Sequence, residues 1–464
     1  MKHFGTDGVR GRAGTFPLDP HGVRVLGRAM GKASKGPVVV GRDTRESGAW
    51  IFSALREGVE ASGRRVIDLG ICPTPFVARI TARLGKGLGA VVSASHNPWV
   101  DNGIKVLAPD GRKASEALEQ TLECALSMDG HEDVETRGGG GRSPWRSGAS
   151  SQARHGQPPT GPRGMRPSCA KSVTDDLKRI LKSFKSLKLK GLPVALDCAH
   201  GAASELGPMA LKSLGARMRA VGVKPDGRNI NRNCGSLHLS LLKRTVRAGR
   251  CRLGFAFDGD ADRCLVLDAK GVLHDGDEIL ALLAARARTK GERGSRIAVG
   301  TVMSNQGLED WLASRGIKLL RTSVGDKYVV EALHRYKAPV GAEASGHVAI
   351  RRFGYVGDGI VTMLAVLEAL QPHGFDFAKA LPGFRRYPQV LINIKVKEKR
   401  DFKSVPGVAS AAQEAEVNLR GKGRLLLRYS GTENLARVMV EASTPRLMRS
   451  EASRVAEAVK LALG

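Results

Sequence analysis

The chain has 464 residues, 42% of them hydrophobic and 5% aromatic, and a formal net charge of +29. This length predicts several domains, and no apolar run reaches the roughly 18–20 residues of a membrane-spanning helix. The N-terminus, MKHFGTDGVRG, has no apolar signal region, and the seven cysteines are scattered singly. We therefore expect a cytoplasmic protein with free thiols rather than a disulfide framework or a zinc site.

The positive charge has two interpretations. It is typical of a surface that binds polyanions, but basic residues are spread along most of the chain and no DNA-binding signature is visible. Few aromatic side chains are available to stack on bases. We expect no nucleic-acid and no membrane partner, whereas a positive field would attract small phosphorylated anions.

The first 93 residues alternate between short apolar strands and helices. Residues 4–11, FGTDGVRG, read as a glycine-rich loop in which Arg10 could reach a phosphate. The elements predicted after it are helix Pro20–Ala33, strand Val38–Val40, helix Gly48–Ser62, strand Val66–Leu69, helix Thr74–Leu84 and strand Leu88–Ser93. This order indicates α/β units on a largely parallel sheet.

The last of these strands leads into SASHNPWVDNGIK, residues 93–105. Asn97 and Pro98 favour a turn that takes the chain out of the sheet. Ligands of parallel sheets lie at the carboxyl ends of strands, where Ser95 falls. With His96 beside it and Lys105 ten residues on, Ser95 is a candidate nucleophile; the alternative is a plain polar turn.

From about Ser127 to Ala170 the composition changes to glycine, serine, proline and arginine, with no helical or strand periodicity. A structureless stretch of about 40 residues is unusual inside a compact domain. Two hypotheses account for it: a disordered linker, or a segment in which the reading frame shifts and returns near Lys171.

The alternating pattern then resumes. Predicted strands are Val194–Asp197, Leu253–Phe257, 263–268, Arg296–Gly300, Gln389–Val396, Arg424–Arg428 and Ala436–Val440, and predicted helices include Asp175–Phe184, Asp277–Thr289, Gly307–Ser314, one that follows the turn at 325 and one that ends at Leu370.

Three aspartates, Asp258, Asp260 and Asp262, follow one of these strands at i, i+2, i+4. On an extended segment this spacing points all three carboxylates to one side, where a cation must neutralise them. An EF-hand needs Gly at position six and Glu at position twelve, but Arg263 and Ala269 stand there. The pattern favours Mg²⁺; a solvated acidic turn is the alternative.

Two later loops carry polar groups. GAEASGH, residues 341–347, offers Glu343, Ser345 and His347 to the hydroxyls of a polar substrate. In RYSGTEN, residues 428–434, two arginines surround small residues whose hydroxyls and backbone N–H groups could hold a phosphate; its candidate ligands are Arg428, Ser430, Gly431, Thr432 and Arg437. Together the motifs suggest phosphoryl transfer. Serine hydrolysis fits less well because the sequence has no GxSxG motif.

These motifs resemble the α-D-phosphohexomutases, and in particular their bacterial amino-sugar branch. FGTDGVRG, SASHNPWVDNGIK, FDGDADR, TVMSNQGLE, VGDKYV, GAEASGH, GDGI, YPQV and RYSGTENLARVMVE occur in the order typical of that family. The resemblance covers residues 1–126 and about 172–464. It implies three similar α/β domains with mixed sheets and a smaller C-terminal α+β domain around a central cleft. The corresponding boundaries are 1–170, 171–275, 276–382 and 383–464.

By resemblance, Ser95 is the phosphorylated serine, and Asp258, Asp260 and Asp262 bind one Mg²⁺ together with its phosphate. Glu343 and Ser345 contact sugar hydroxyls, and the loop at 428–437 holds the non-reacting phosphate. The residues that line the cleft near the transfer site are Arg10, His96, Lys105, Arg263, Lys327 and His347. Lys105 and His347 are candidates for acid/base catalysis, and the resemblance does not divide those roles.

The implied reaction interconverts glucosamine 6-phosphate and glucosamine 1-phosphate through a 1,6-bisphosphate, which is also the activator. Mannose or glucose phosphates are the alternative substrates. The product would supply the synthesis of UDP-N-acetylglucosamine and cell-wall precursors. The resemblance also allows a homodimer. A non-catalytic basic binding protein on the same scaffold is a further alternative from another class.

Overall fold

A computed structural model describes residues 3–5, 8–135, 171–430 and 433–464, and for 129–135 the backbone alone. The described chain forms four sheets, each with its own helices. In chain order the strands are β1 Phe4–Gly5, β2 Gly8–Arg12, β3 Val38–Arg42, β4 Val66–Ile71, β5 Gly89–Val92, β6 Asp101–Leu107, β7 Pro193–Asp197, β8 Arg217–Val221, β9 Leu253–Phe257, β10 Cys264–Asp268, β11 Leu273–His274, β12 Ile297–Thr301, β13 Lys318–Thr322, β14 Val340–Ala342, β15 Val348–Ile350, β16 Gln389–Lys395, β17 Gly423–Tyr429 and β18 Leu435–Ala442.

The α-helices are α1 Pro20–Ala33, α2 Gly48–Ala61, α3 Thr74–Leu84, α4 Glu116–Glu135, α5 Lys171–Ser183, α6 Leu206–Ser213, α7 Ser240–Gly249, α8 Gly276–Thr289, α9 Gln306–Ala313, α10 Asp326–Arg335, α11 Gly359–Leu370, α12 Phe377–Ala380, α13 Pro406–Leu419 and α14 Pro445–Leu463. No helix in the described ranges is both long and apolar enough to cross a bilayer.

The first three sheets share one plan, in which parallel pairs are continued on one side by antiparallel strands. Their orders are β1-β2-β6-β5-β3-β4, β11-β10-β9-β7-β8 and β13-β12-β14-β15. In each, the central strand has parallel neighbours: β3 with β4 and β5, β7 with β8 and β9, and β12 with β13 and β14. The fourth sheet, β16-β18-β17, is antiparallel and packs on α13 and α14. The expected architecture of three α/β units and a small α+β unit is confirmed.

The largest hydrophobic core joins the first three units. It contains side chains of α3, α5, α8 and α11 together with the second and third sheets. Every residue of α11 is buried, which agrees with the apolar sequence of that helix because a helix that is apolar all round must be enclosed. The fourth unit has a separate core, whose buried members lie between Ile394 and Leu463.

A buried arginine joins the first three units electrostatically. Arg79 on α3 donates from Nε to Asp176 on α5 at 2.7 Å, and from Nη1 to Asp358, the N-cap of α11. Arg83 also donates to Asp176, at 2.6 Å. Charges buried this deeply require partners, so Arg79 fixes the three helices relative to one another.

Several local expectations were wrong. The two ends of FGTDGVRG are strands rather than loop, because β1 and β2 pair as antiparallel strands and β2 continues onto β6; residues 6 and 7 lie outside the described residues. Strand β6 was not predicted, because its polar, glycine-containing start hides the alternation. The loop expected at GAEASGH is present, because residues 343–347 form the turn of an antiparallel hairpin between β14 and β15, and only its first two residues belong to β14.

The stretch beginning at Ser127 differs in part from the expectation, because its first residues are helical. Helix α4 starts at Glu116, buries Leu122 and Leu126, and runs on to Glu135. A helix propagates readily once its first turn has formed. Helix α4 therefore continues through its last turns even though their sequence has little helical periodicity. The remainder of the atypical segment, residues 136–170, lies outside the described residues, so both hypotheses about it stay open.

Candidate active site

Ser95 lies just beyond the carboxyl end of β5, where it is buried and has a φ of 52°. Its backbone N–H donates to the Ser93 hydroxyl at 2.9 Å. Its own hydroxyl donates to Asp258 Oδ2 at 2.6 Å, across the boundary between the first and second units. The candidate nucleophile therefore touches the acidic cluster directly.

The turn that contains Ser95 is held by a buried ion pair that the sequence did not suggest. Arg45 donates from Nε to Asp43 Oδ2 at 2.9 Å, and the same oxygen accepts from the Ser93 hydroxyl at 2.6 Å. The guanidinium also donates to the backbone carbonyls of Ser95 and Asn97 at 3.0 and 2.9 Å. Asp43 and Arg45 follow β3, the parallel neighbour of β5, so the rule that located Ser95 could have located them too.

The three aspartates lie in a turn after β9 rather than on the extended segment that we expected. Ala261 has a φ of 55°, and the turn folds back into β10. One oxygen of each carboxylate nevertheless lies within 4.8 Å of the others, and all three side chains are buried. The turn brings the carboxylates together by curvature instead of by strand alternation.

These carboxylates are only partly satisfied by protein groups. Lys105 Nζ, from β6, donates to Asp260 at 2.7 Å and to Asp262 at 2.9 Å, and the Thr74 hydroxyl also donates to Asp260. Among the described residues, Asp260 Oδ1 and Asp262 Oδ1 are buried and accept no hydrogen bond. Unpaired buried oxygens in an all-carboxylate cluster fit a hard divalent cation.

The aspartates differ in their ease of ionisation. Burial raises the pKa of Asp258 to about 8, and the charges of Asp262 and Asp260 add to this effect. Burial acts in the same direction at Asp262, but the charges of Lys105 and His347 outweigh it and hold the pKa of that carboxyl well below its usual range. Of these two carboxylates, the one that touches Ser95 therefore holds a proton more firmly.

His347, from the third unit, approaches the cluster from the opposite side. Its Nε2 is 4.0 Å from Asp262 Oδ2, and its Nδ1 is 3.5 Å from Asp326 Oδ2 and 3.8 Å from Glu343 Oε2. Burial favours neutral imidazole, but the carboxylates of Asp326 and Asp262 raise the pKa of His347 to about 9. The imidazole is therefore positively charged at neutral pH.

His96 behaves differently. Its Nδ1 lies 3.4 Å from the Ser95 hydroxyl. Burial and the positive charges of Arg263 and Arg10 lower the pKa of His96. Arg263 Nε itself lies 4.0 Å from carboxylate oxygens of both Asp258 and Asp262. The immediate surroundings of Ser95 thus combine a neutral imidazole with fixed positive charges.

A cavity of about 700 Å³ opens above Ser95. Its described lining comes from the first three units and includes Arg10, Ser95, Asp262, Arg263, Lys327, Glu343, Ser345 and His347. Lys327 Nζ lies 3.6 Å from Glu116 on the opposite wall. Burial opposes ionisation of Glu343, but its hydrogen bond and charge interaction with His347 lower its pKa. The cavity therefore carries ionised groups of both signs.

The expected phosphate loop lies in the fourth unit and is not part of this lining. Arg428 and Arg437 are directly opposite each other on β17 and β18. Arg437 Nη2 lies 3.4 Å from the Ser430 hydroxyl, and Lys399 donates to the Ser430 carbonyl at 2.8 Å. Gly431 and Thr432 lie outside the described residues. The structure thus brings two arginines and a serine together at the end of a hairpin.

Three further residues of the site were not predicted. Thr74 binds Asp260, Asp326 faces His347, and Asn231 donates from its side chain to the Ser95 carbonyl at 2.9 Å. Thr74 and Asn231 belong to different units from their partners, whereas Asp326 and His347 both belong to the third unit and are 21 residues apart in the chain. Nothing in the local sequence marks the contacts between units, because they depend on how separate units pack.

Four family models match the chain in succession. They describe phosphoglucomutase/phosphomannomutase α/β/α domain I at residues 1–130, domain II at 172–271, domain III at 275–387 and the C-terminal domain at 391–458. The chain belongs to the phosphoglucomutase/phosphomannomutase family, also called the α-D-phosphohexomutases.

Within this family, curated relatives point to one branch. A phosphoglucosamine mutase of Deinococcus radiodurans is 42% identical over 99% of this chain and 98% of its own length. One from Koribacter versatilis is 40% identical over 99% and 97%. The chain is thus similar to phosphoglucosamine mutases over nearly its whole length.

Solved structures share the fold. A phosphoglucomutase/phosphomannomutase family protein of Burkholderia thailandensis has a TM-score of 0.77 at 24% identity, covering 98% of this chain and 97% of its own. An N-acetylphosphoglucosamine mutase of Aspergillus fumigatus, in complex with GlcNAc-6P and magnesium, has a TM-score of 0.62 at 20% identity, covering 100% and 96%. The four-unit architecture is that of the phosphohexomutases.

Proposed function

We propose that the chain is a phosphoglucosamine mutase, an isomerase that interconverts glucosamine 6-phosphate and glucosamine 1-phosphate. Relatives of that activity, about 40% identical along the whole chain, support the substrate. The observation that carries the chemistry is the Ser95 hydroxyl, 2.6 Å from Asp258 within a cluster of three buried carboxylates. A serine placed there suits a phosphoryl carrier, because a cation held by the carboxylates can neutralise a phosphate on it.

The residues that would hold Mg²⁺ are Asp258, Asp260 and Asp262, together with the phosphate on Ser95. When bound, the ion supplies positive charge to the oxygens of the transferring phosphoryl group. The unpaired oxygens of Asp260 and Asp262 support this assignment. Lys105 already bridges these two carboxylates, so it holds them in place and limits their mutual repulsion.

In the proposed cycle, the bond between Ser95 Oγ and phosphorus breaks as the sugar O1 forms its own bond to phosphorus. The O1 proton must leave, and Ser95 Oγ must be able to regain one. In the second half the bond between the sugar O6 and phosphorus breaks as Ser95 Oγ gives up its proton and bonds to that phosphorus, and O6 takes up a proton. Arg10 and Arg263 place positive charge beside the transferring group. Because neighbouring carboxylates raise the pKa of His347 to about 9, it carries a proton at neutral pH. This suits it to donate a proton or to stabilise negative charge. His96 is neutral and lies close to Ser95 Oγ, so it is better placed than His347 to accept a proton.

The two remaining loops would recognise the rest of the substrate. Glu343 and Ser345 face the cavity and would bind sugar hydroxyls, with Lys327 close by. The non-reacting phosphate would bind to the fourth-unit residues Arg428, Ser430, Gly431, Thr432 and Arg437. The arginines and Ser430 support this role because Arg428 and Arg437 stand directly opposite each other on the two strands and the Arg437 guanidinium contacts the Ser430 hydroxyl.

The proposal includes priming by a sugar 1,6-bisphosphate, since Ser95 must carry a phosphate before the first turnover. It also places the enzyme in the cytoplasm, where its product would be used to make UDP-N-acetylglucosamine and cell-wall precursors. The described cysteines are all free thiols, as a reducing compartment favours.

Turnover of glucosamine, glucose and mannose 6-phosphates, with Mg²⁺ and a 1,6-bisphosphate, tests the proposal. We expect the amino sugar to give the highest kcat/KM, and Ser95→Ala to abolish turnover and the phosphopeptide that contains residue 95. Ser410→Ala, on the exposed face of α13, is the matched control and should retain both. Equal or better activity on mannose or glucose phosphate would overturn the amino-sugar assignment. Full activity of Ser95→Ala would overturn the mechanism.

A further inference from the structure

Asn231 is a second-unit residue whose side chain reaches into the first unit. It lies in the segment between β8 and α7, is 9% exposed, and has a φ of 59°. Asparagine tolerates this left-handed conformation better than most residues. Its backbone N–H donates to the Ala199 carbonyl at 2.9 Å. Its side-chain Nδ2 donates to the carbonyls of Ser95 at 2.9 Å and Asn97 at 3.2 Å.

The same two carbonyls accept from Arg45 on the other side, at 3.0 and 2.9 Å. The Ser95 carbonyl therefore accepts hydrogen bonds from residues of two different units. Ser95 needs such support, because the left-handed region disfavours a residue with a Cβ by roughly 1–2 kcal/mol. Arg45 belongs to the same unit as Ser95, whereas Asn231 belongs to the unit that supplies the carboxylates.

The aspartate turn packs directly against this contact. A Cβ added at Gly259 would lie 2.5 Å from the Ser95 carbonyl oxygen and 3.0 Å from Asn231 Nδ2. The peptide that carries Ser95, the amide of Asn231 and the turn that carries Asp258 are thus in mutual contact. A displacement of the Ser95 peptide would change the 2.6 Å separation between Ser95 Oγ and Asp258 Oδ2.

We infer that Asn231 is a positioning residue, which fixes the phosphate-carrying serine against the three carboxylates by holding its peptide from the opposite unit. This inference rests on the proposed function. Asn231 is not itself among the described residues that line the cavity, and its side chain donates to backbone carbonyls rather than to a carboxylate. Its effect therefore falls on the rate of phosphoryl transfer rather than on sugar binding. Misplacement of a reacting group by about 1 Å can reduce a rate by about 100-fold.

Two substitutions remove the amide donor while tolerating the backbone conformation. Asn231→Gly deletes the side chain, and Asn231→Asp places an oxygen opposite two carbonyl oxygens. The matched control is Arg228→Ala, which breaks the exposed ion pair with Glu46 at the same boundary, 2.6 and 3.0 Å long, without touching Ser95. Full-length variants are compared with Mg²⁺, glucosamine 6-phosphate and bisphosphate.

For both Asn231 variants we expect kcat to fall by about 10- to 100-fold while KM changes by less than about 3-fold. For Arg228→Ala we expect both constants to stay within about 2-fold of the original values. Amide hydrogen exchange supplies a readout that is independent of turnover. The peptide that covers residues 93–101 should exchange faster in Asn231→Gly than in the unchanged chain.

Three results would overturn the inference: a loss of kcat no larger than that of Arg228→Ala, a rise in KM that accounts for the loss of kcat/KM, or unchanged exchange in residues 93–101. Failure of both Asn231 variants to fold would also overturn it, because the residue would then act on stability. These results can be told apart from failure of the proposed function. If the proposed function were wrong, the unchanged chain would not turn over glucosamine 6-phosphate.

Discussion

Proton competition at Asp258 makes the affinity for Mg²⁺ depend on pH. Burial, reinforced by the charges of Asp262 and Asp260, raises the pKa of Asp258 to about 8 in the ion-free chain. Below pH 8 this carboxyl holds a proton that the cation must displace. The affinity should therefore rise with pH and level off above about 8.

The magnitude follows from this single pKa. For a group that titrates near pH 8, the ionised fraction is about one half at pH 8 and about one hundredth at pH 6. The apparent dissociation constant should be about 50-fold higher at pH 6, a difference of about 2.3 kcal/mol. The same shift acts on stability. Because the folded pKa exceeds the unfolded value of about 3.9, ionisation of Asp258 destabilises the ion-free fold as the pH rises towards 8.

Isothermal titration calorimetry of the unphosphorylated chain at pH 6, 7 and 8, in buffers of different ionisation enthalpy, measures both the affinity and the protons released. Close to one proton should be released at pH 6 and about half a proton at pH 8. Asp258→Asn should bind more weakly and lose the pH dependence, whereas Asp268→Asn, at the far end of β10, should keep it. An affinity that changes by less than about 3-fold between pH 6 and 8 would refute the reasoning.

Three further predictions concern charged side chains. Lys105→Met should destabilise the ion-free chain by about 3–5 kcal/mol in urea unfolding, because it leaves buried carboxylates unpaired, and Mg²⁺ should restore part of the loss; no response to Mg²⁺ would count against the site. Arg437→Met should raise KM by about 10- to 100-fold without preventing phosphorylation by the bisphosphate, whereas Arg454→Met, on the exposed face of α14, should not; an unchanged KM would remove the phosphate role. Arg79→Met should lower the free energy of unfolding by about 3–5 kcal/mol, and Arg83→Met, which leaves the link to α11 intact, by much less; equal effects would contradict a central role for Arg79.

The sequence predicts the regular elements well wherever local signals agree. Helix α1 illustrates this: Asp19 caps it by accepting from the Gly22 N–H at 2.7 Å, and Pro20 begins it. Strand β6 shows the limit. Its buried Asn102 and Lys105 interrupt the apolar pattern, because those side chains form hydrogen bonds and ion pairs instead of packing in the hydrophobic core.

The same division holds for the site. Ser95 and the three aspartates follow strands, and chemistry alone suggests both groups. Their actual geometry depends on a turn with a positive φ at Ala261 and on the approach of a second unit. Asn231 and Thr74 lie 136 and 186 residues along the chain from Ser95 and Asp260, the residues that they contact. Contacts of that range are set by how the units dock, which periodicity does not encode.

The separate core of the fourth unit has a consequence for how the molecule melts. The buried side chains between Ile394 and Leu463 form their own cluster. The first unit also has a cluster of its own, on α1 and α2, but through α3 it shares the large core around α11 with the second and third units. Cooperative unfolding follows shared cores. Calorimetry should therefore resolve two heat-absorption peaks. The smaller peak belongs to the C-terminal unit, so the site around Ser95 can keep its structure after that unit has melted.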